Sequence, residues 1–196
     1  MITQATAYPT LSLALGSGKR SLPWLLFLAV AGSLLLWASA KIQIPFYPVP
    51  MTMQSFVVLF LGFALGPRLG AATVLLYLAQ GLAGLPVFAG TPEKGLGLAY
   101  MTGPTGGYLA GFVAAAYVTG WFAQRGFDRR LATTALAALA GLSVLYALGL
   151  GWLGVLVGWG KPLLEFGLLP FLPAEALKLA LLAAVLPLAW QGVSKG

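Results

Sequence analysis

Residues 170–184 read PFLPAEALKLALLAA, an apolar helical run entered through Pro170 and Pro173 and carrying one acid and one base, Glu175 and Lys178. Residues three apart share a helix face, so this carboxylate and ammonium can act on one object or on each other. Proline is tolerated in a first helical turn, where its missing N–H would have been unpaired. The helix is therefore predicted to begin near Pro173, with the pair in its first two turns. Ionisable groups inside a membrane helix cost ~2.5–3.5 kcal/mol each at the centre, less near an end, and call for a partner. Two readings follow. Glu175 and Lys178 are either an interfacial ion pair that marks the helix end or a clamp on a ligand. As a clamp, the carboxylate accepts N–H groups of a ureido or amide, and the ammonium donates to a carbonyl or carboxylate.

The rest of the chain supplies a membrane context. Of its 196 residues 60% are hydrophobic and 8% charged, and the mean hydropathy is +0.92, which describes a polytopic membrane protein rather than a soluble globule. Glycine (26) and proline (13) are abundant, as both are in membrane helices. Cysteine and histidine are absent, which excludes disulfides, thiolate nucleophiles, histidine-based zinc sites and Ser-His-Asp catalysis. No metal and no cofactor is expected. The net charge of +7 is scattered at the ends of apolar runs, a pattern of membrane orientation and not of nucleic-acid binding.

Apolar runs bounded by turn signals predict an all-α integral membrane protein with six transmembrane helices. Residues 1–21 are expected as an N-terminal cytoplasmic tail, 22–190 as a single six-helix membrane domain and 191–196 as a C-terminal cytoplasmic tail. The first span, Leu22 to Ala40, follows Lys19-Arg20 and is about the ~20 residues a bilayer needs. Ala38-Ser39-Ala40 also mimics a signal-peptide cleavage site, but the apolar part is long for one, and cleavage would leave an odd number of spans. Lys41 to Pro50 holds three prolines and is predicted as an extended outer loop. The second span, Thr52 to Leu65, is short, which leaves a bowl or an irregular extension at its start. Gly66-Pro67-Arg68 turns the chain into the third span, Ala71 to Leu85. Val87 to Thr102 is a long Gly-, Thr- and Pro-rich outer connection between helices 3 and 4, predicted to be a lid. The fourth span runs from Gly103 to Gln124, and its Gly106, Gly107 and Gly111 admit either a ligand or another backbone. A fifth span, Leu131 to Trp159, is long enough to tilt or to break at Gly149–Gly154, and the sixth is Pro173 to Trp190.

With the N-terminus inside, Lys19, Arg20, Arg68, Arg125, Arg129, Arg130 and Lys195 are cytoplasmic, against Lys41, Lys94 and Lys161 outside, which predicts an N-in, C-in topology. The proline-rich loop, the lid and the Glu175/Lys178 pair then converge on an outward-facing cavity suited to capturing a solute. Gln54 and the aromatic residues Phe46, Tyr47, Phe88, Tyr100 and Tyr108 are candidates for its walls. There is no G-x-x-x-x-G-K-[ST] sequence, so uphill transport requires energy from another protein. Ala29 and Ser33 form a small-xxx-small pattern on the first span, a candidate face for that partner. The rival classes are an intramembrane enzyme acting on a lipid, which one acid–lysine pair without histidine supports poorly, and a structural membrane protein.

The segments Pro48-Val49-Pro50-Met51-Thr52-Met53-Gln54, Leu65 to Gly70 (LGPRLG), Gly84 to Gly90 (GLPVFAG), Gly103 to Tyr108 (GPTGGY) and Pro173 to Lys178 (PAEALK) stand in an order that resembles the BioY family. These are the biotin-capturing S components of energy-coupling factor (ECF) transporters, and the similarity runs from about residue 22 to 190. The resemblance implies six helices, an outward-facing vitamin pocket in the cell membrane, and partnership with a membrane coupling subunit and two cytoplasmic ATPases. It also implies that the small-xxx-small face of the first helix meets the coupling subunit. Glu175 and Lys178 fall on the family's acidic and lysine positions and would bind biotin's polar groups. The family pattern usually has Asp where this chain has Glu175. An S component for another small vitamin, such as thiamine or riboflavin, is the nearest alternative.

Overall fold

The computed structural model describes residues 9–12, 21–44 and 47–193. Among them lie six helices of at least twelve residues: α1 (Leu22–Lys41), α2 (Gln54–Leu65), α3 (Pro67–Leu82), α5 (Gly106–Ala123), α6 (Leu131–Val157) and α8 (Leu172–Val193). Two short helices, α4 (Gly97–Met101) and α7 (Leu163–Gly167), sit in the connections. Strands β1 (Gln43–Ile44), inside the proline-rich segment Lys41–Pro50 predicted to be only extended, and β2 (Met51–Thr52), just after it, pair antiparallel.

The twelve residues of α2 organise the packing. Nine of them are buried, and the helix touches α1, α3, α5, α6 and α8. At 1.5 Å per residue it is ~18 Å long, well short of a ~30 Å hydrocarbon layer. Its N-terminal end therefore stops inside the bundle, with polar Gln54 and Ser55 at the floor of a recess, as the short apolar run between Thr52 and Gly66 predicts. Around it, α5 packs on α2, α3 and α6, while α1 lies against α3 and α8 against α6. The stretches Leu22–Lys41, Leu131–Val157 and Leu163–Gly192 are long and apolar enough to cross a membrane.

Some boundaries differ from the sequence expectation. Gly66, at φ +83°, makes the reversal between α2 and α3 almost alone, so α3 starts at Pro67 instead of after a three-residue turn. The fifth predicted span is one unbroken helix through Gly149 and Gly154. The connection Lys161–Pro170 contains α7 and a 3-10 turn (Leu169–Phe171), and the last helix begins at Leu172 beside the predicted Pro173.

At the end of the bundle away from Glu175, a 3-10 turn (Phe127–Arg129) joins α5 to α6 and packs on α8. Asp128 is fully buried there and accepts the indole N–H of Trp190 at 2.6 Å, while the Arg129 guanidinium lies 4.3 Å from the Trp190 ring centroid. Burial pushes the Asp128 carboxyl above its ordinary 3.8, with the Trp190 bond and the Arg129 charge pulling it back. The folded chain thus holds this proton more tightly than the unfolded chain. The resulting stability is fully present below the ordinary value and is lost as pH rises through the raised one. Asp128→Asn keeps an acceptor for Trp190 and removes the titration. Its unfolding temperature should lack that part of the wild-type pH dependence and lie at or above wild type at neutral pH. Parallel pH profiles for the two proteins would show that Asp128 does not titrate with folding.

Candidate functional site

The recess above α2 is a narrow cleft, open at its mouth, with about 50 Å³ of free volume. Its floor is Thr52 of β2, Gln54 and Ser55 from the start of α2, and Glu175 from α8. Its walls are Tyr108, Leu109 and Phe112 of α5, Leu145 and Tyr146 of α6, Phe171, and Ala89 and Tyr100 from the connection between α3 and α5. The lining is an apolar, aromatic body with a few polar groups at one end.

Glu175 and Lys178 are both buried, and they pair at 2.9 Å. Their roles differ. Lys178 Nζ donates to Thr52 O (2.6 Å), Ser55 Oγ (2.9 Å) and Glu175 Oε1 (2.9 Å), which uses its three N–H bonds on protein acceptors. Lys178 is absent from the cleft lining. It holds Glu175 in place from behind. Ser55 Oγ in turn shares its proton between Glu175 Oε1 (2.8 Å) and Oε2 (3.1 Å), and Tyr146 OH reaches Oε1 at 3.4 Å. Oε1 is thereby crowded by three donors. Oε2 has, among the described residues, only the long Ser55 bond, which leaves it acceptor capacity for an N–H entering the cleft.

The other residues singled out from the sequence divide. Gln54 lines the floor, and its amide donates to Tyr77 OH at 2.8 Å. Tyr100 and Tyr108 are on the walls, fixed by bonds from their hydroxyls to Ala89 O (2.9 Å) and Gly167 O (2.8 Å). Phe88 is not a wall residue. It is 1% exposed, stacked on the far face of Tyr100 with ring centroids 4.8 Å apart, and so shapes the wall from behind. Tyr47 is 86% exposed and away from the cleft, and Phe46 lies outside the described residues. Ser33 turns inward, fully buried, and accepts the Gln80 amide of α3 at 3.2 Å, so it does not present a surface to another chain. The outward face of α1 instead carries Leu26, Phe27, Val30, Leu34 and Trp37, with Ala29 half-buried beside them. Gly106, Gly107 and Gly111 face backbone or side chains of neighbouring helices and not the cleft, which decides for packing.

Thr52, Ser55 and Tyr146 were not singled out from the sequence. Ser55 has a signal, as part of the polar Thr52–Ser55 run that opens a buried helix. Tyr146 has little, being one of several aromatics in apolar runs.

A mostly helical, strongly apolar bundle with an aromatic cleft and a carboxylate with acceptor capacity to spare at its floor defines a membrane protein for binding a small solute. A sequence profile described as the BioY family matches residues 14–195, and the chain belongs to that family. It is 40% identical over 141 residues to "Probable biotin transporter BioY" of Pyrococcus horikoshii, covering 72% of this chain and 80% of that one. It is 37% identical over 151 residues to "Biotin transporter BioY" of Thermotoga maritima, covering 77% and 86%. Its fold matches the crystal structure of "the S-component for biotin from an ECF-type ABC transporter" with a TM-score of 0.71 and 25% identity, over 85% of this chain and 90% of that one.

Proposed function

We propose that this chain is the biotin-capturing membrane subunit of an ECF-type uptake system. It binds its ligand and does not transform it. The observation that carries the reading is Glu175 Oε2, held at the floor of the cleft with acceptor capacity to spare, in a chain whose relatives are named as biotin transporters. A ureido group offers two N–H donors and a carbonyl on a flat, apolar ring. One N–H suits Glu175, and the aliphatic remainder suits the walls of Tyr100, Tyr108, Leu109 and Phe112.

In this reading α1, α2, α3, α5, α6 and α8 are six passes through the cell membrane with both termini inside. The basic residues support it, since Arg68, Arg125, Arg129 and Arg130 flank the end of the bundle opposite Glu175. The connection 87–102 is the lid, because Ala89 and Tyr100 come from it to the cleft wall. A membrane coupling subunit and two cytoplasmic ATPases supply the energy. The coupling subunit meets the outward apolar face of α1 around Ala29, not Ser33, which α3 occupies.

Calorimetry on detergent-purified protein tests the ligand. Saturable one-to-one binding of biotin, with none of thiamine or riboflavin at the same concentrations, is expected. A folded protein that binds no biotin overturns the assignment.

A further inference from the structure

The segment 86–91 lies beside the cleft without regular secondary structure, so its carbonyls must each find a donor. Tyr77 OH donates to Val87 O (3.0 Å), Thr91 Oγ1 to Phe88 O (2.7 Å), Tyr100 OH to Ala89 O (2.9 Å) and the Lys94 backbone N–H to Gly90 O (2.9 Å). The two ends of the strap are held by one side chain from elsewhere. Lys41 Nζ, at the last residue of α1, donates to Pro86 O (2.9 Å) and Thr91 O (3.3 Å), and it also reaches Phe88 O (3.2 Å) and Thr91 Oγ1 (3.4 Å). A tetrahedral ammonium is suited to gathering several carbonyls converging from one loop.

We propose that Lys41 is a positioning residue for ligand retention, a latch that keeps the strap 86–91 closed against the cleft without itself touching the ligand. The proposal rests on the ligand-binding reading given above. The strap bears on the cleft in two ways. Ala89 is part of the wall, and Phe88, wedged between Tyr77 (5.5 Å, edge-on) and Tyr100 (4.8 Å, stacked), supports Tyr100 from behind. The tie also extends to the floor, because Tyr77 receives the Gln54 amide while donating to Val87 O. Lys41 lies at the exposed edge of this assembly. When it is removed, water can take its place on the Pro86 and Thr91 carbonyls, so the fold keeps its stability. What is lost is the one side chain, among the described residues, that draws both ends of the strap together. The tyrosines still hold its middle, and the strap opens more often.

The test compares wild type with Lys41→Met and Lys41→Arg. Biotin dissociation is followed by chasing bound radiolabelled biotin with unlabelled biotin, alongside association rates, unfolding temperatures and amide hydrogen exchange of peptides covering 86–91. Lys41→Met should release biotin about tenfold faster or more, with association changed much less, as loss of charged hydrogen bonds to a closing segment implies. Exchange in the strap should rise comparably, and the unfolding temperature should stay near wild type. Lys41→Arg should recover part of the retention, since a planar guanidinium keeps the charge but meets fewer of these acceptors. An unchanged release rate in Lys41→Met, or a lowered unfolding temperature with no change in strap exchange, overturns the latch. A wild type that binds no biotin overturns the ligand assignment instead. The latch is then read from exchange in the ligand-free proteins, where equal rates would refute it.

Discussion

Glu175→Ala should weaken biotin binding by about a hundredfold or more, and it should also lower the stability of the ligand-free protein. The two losses have separate origins. Binding falls because the ligand's N–H loses a charged acceptor at the closed end of the cleft, and a buried donor left without a partner costs ~1–3 kcal/mol, more when a charge is involved. Stability falls because Lys178 is left buried with its charge unbalanced, a situation that typically costs ~3–5 kcal/mol. Thr52 O and Ser55 Oγ, which still accept from Lys178, place the expected value toward the lower end of that range. Calorimetry and thermal unfolding read the two effects apart. Glu175→Ala combined with Lys178→Met removes both charges, so the pair should recover much of the stability and none of the affinity. Glu175→Gln retains an acceptor for Ser55 and the ligand and should sit between wild type and Ala in affinity. Wild-type affinity in Glu175→Ala would remove the carboxylate from the site. It would leave the pair as an internal brace between α2 and α8.

The sequence makes some of this readable for physical reasons. The apolar run between Thr52–Ser55 and Gly66-Pro67 is shorter than a bilayer span needs, and the recess above α2 follows from its length. Glu175 and Lys178 stand out because charges are rare in such runs. Their division of labour is not readable, because it is decided by partners distant in the chain. Ser55 and Tyr146 reach Glu175 across 120 and 29 residues, and no local period announces either contact. A second limit is general to the medium. A membrane helix is apolar on the faces that meet lipid and on those that meet other helices, so periodicity does not separate inside from outside. The Ala29/Ser33 pattern is an instance, since the small residues that admit a partner helix admit α3 of the same chain. Phe88 and Tyr47 are another. Both are aromatic residues in connections between helices, yet one is enclosed behind Tyr100 and the other is exposed.

Gly111→Val carries the second large effect, and it separates two meanings that a glycine in a membrane helix can have. From the sequence, Gly111 admits either a ligand or a helix backbone. In the fold, a Cβ at this position would lie 2.8 Å from Leu145 O and 3.0 Å from Leu145 Cα, so α5 and α6 meet here backbone to backbone. Backbone in the middle of a 27-residue helix cannot swing away as a side-chain tip can, and the helices must separate. Overpacking of this kind costs ~1–3 kcal/mol or more. Gly111→Ala should fall in that range, and Gly111→Val, with two further methyl groups in the same gap, should exceed it or prevent folding. Alanine is therefore the informative variant. Leu145 and Tyr146 are also walls of the cleft, but a single methyl asks α6 to give by only a fraction of an ångström, and the Tyr146–Glu175 bond this stretches is already long at 3.4 Å, so its loss weighs little. The folded fraction of Gly111→Ala should accordingly bind biotin within a few-fold of wild type while unfolding at a lower temperature. The reverse result, an unchanged unfolding temperature with binding lost, would mean that the ligand itself approaches α5 at Gly111. It would move the cleft from the α2–α8 floor to the α5–α6 seam.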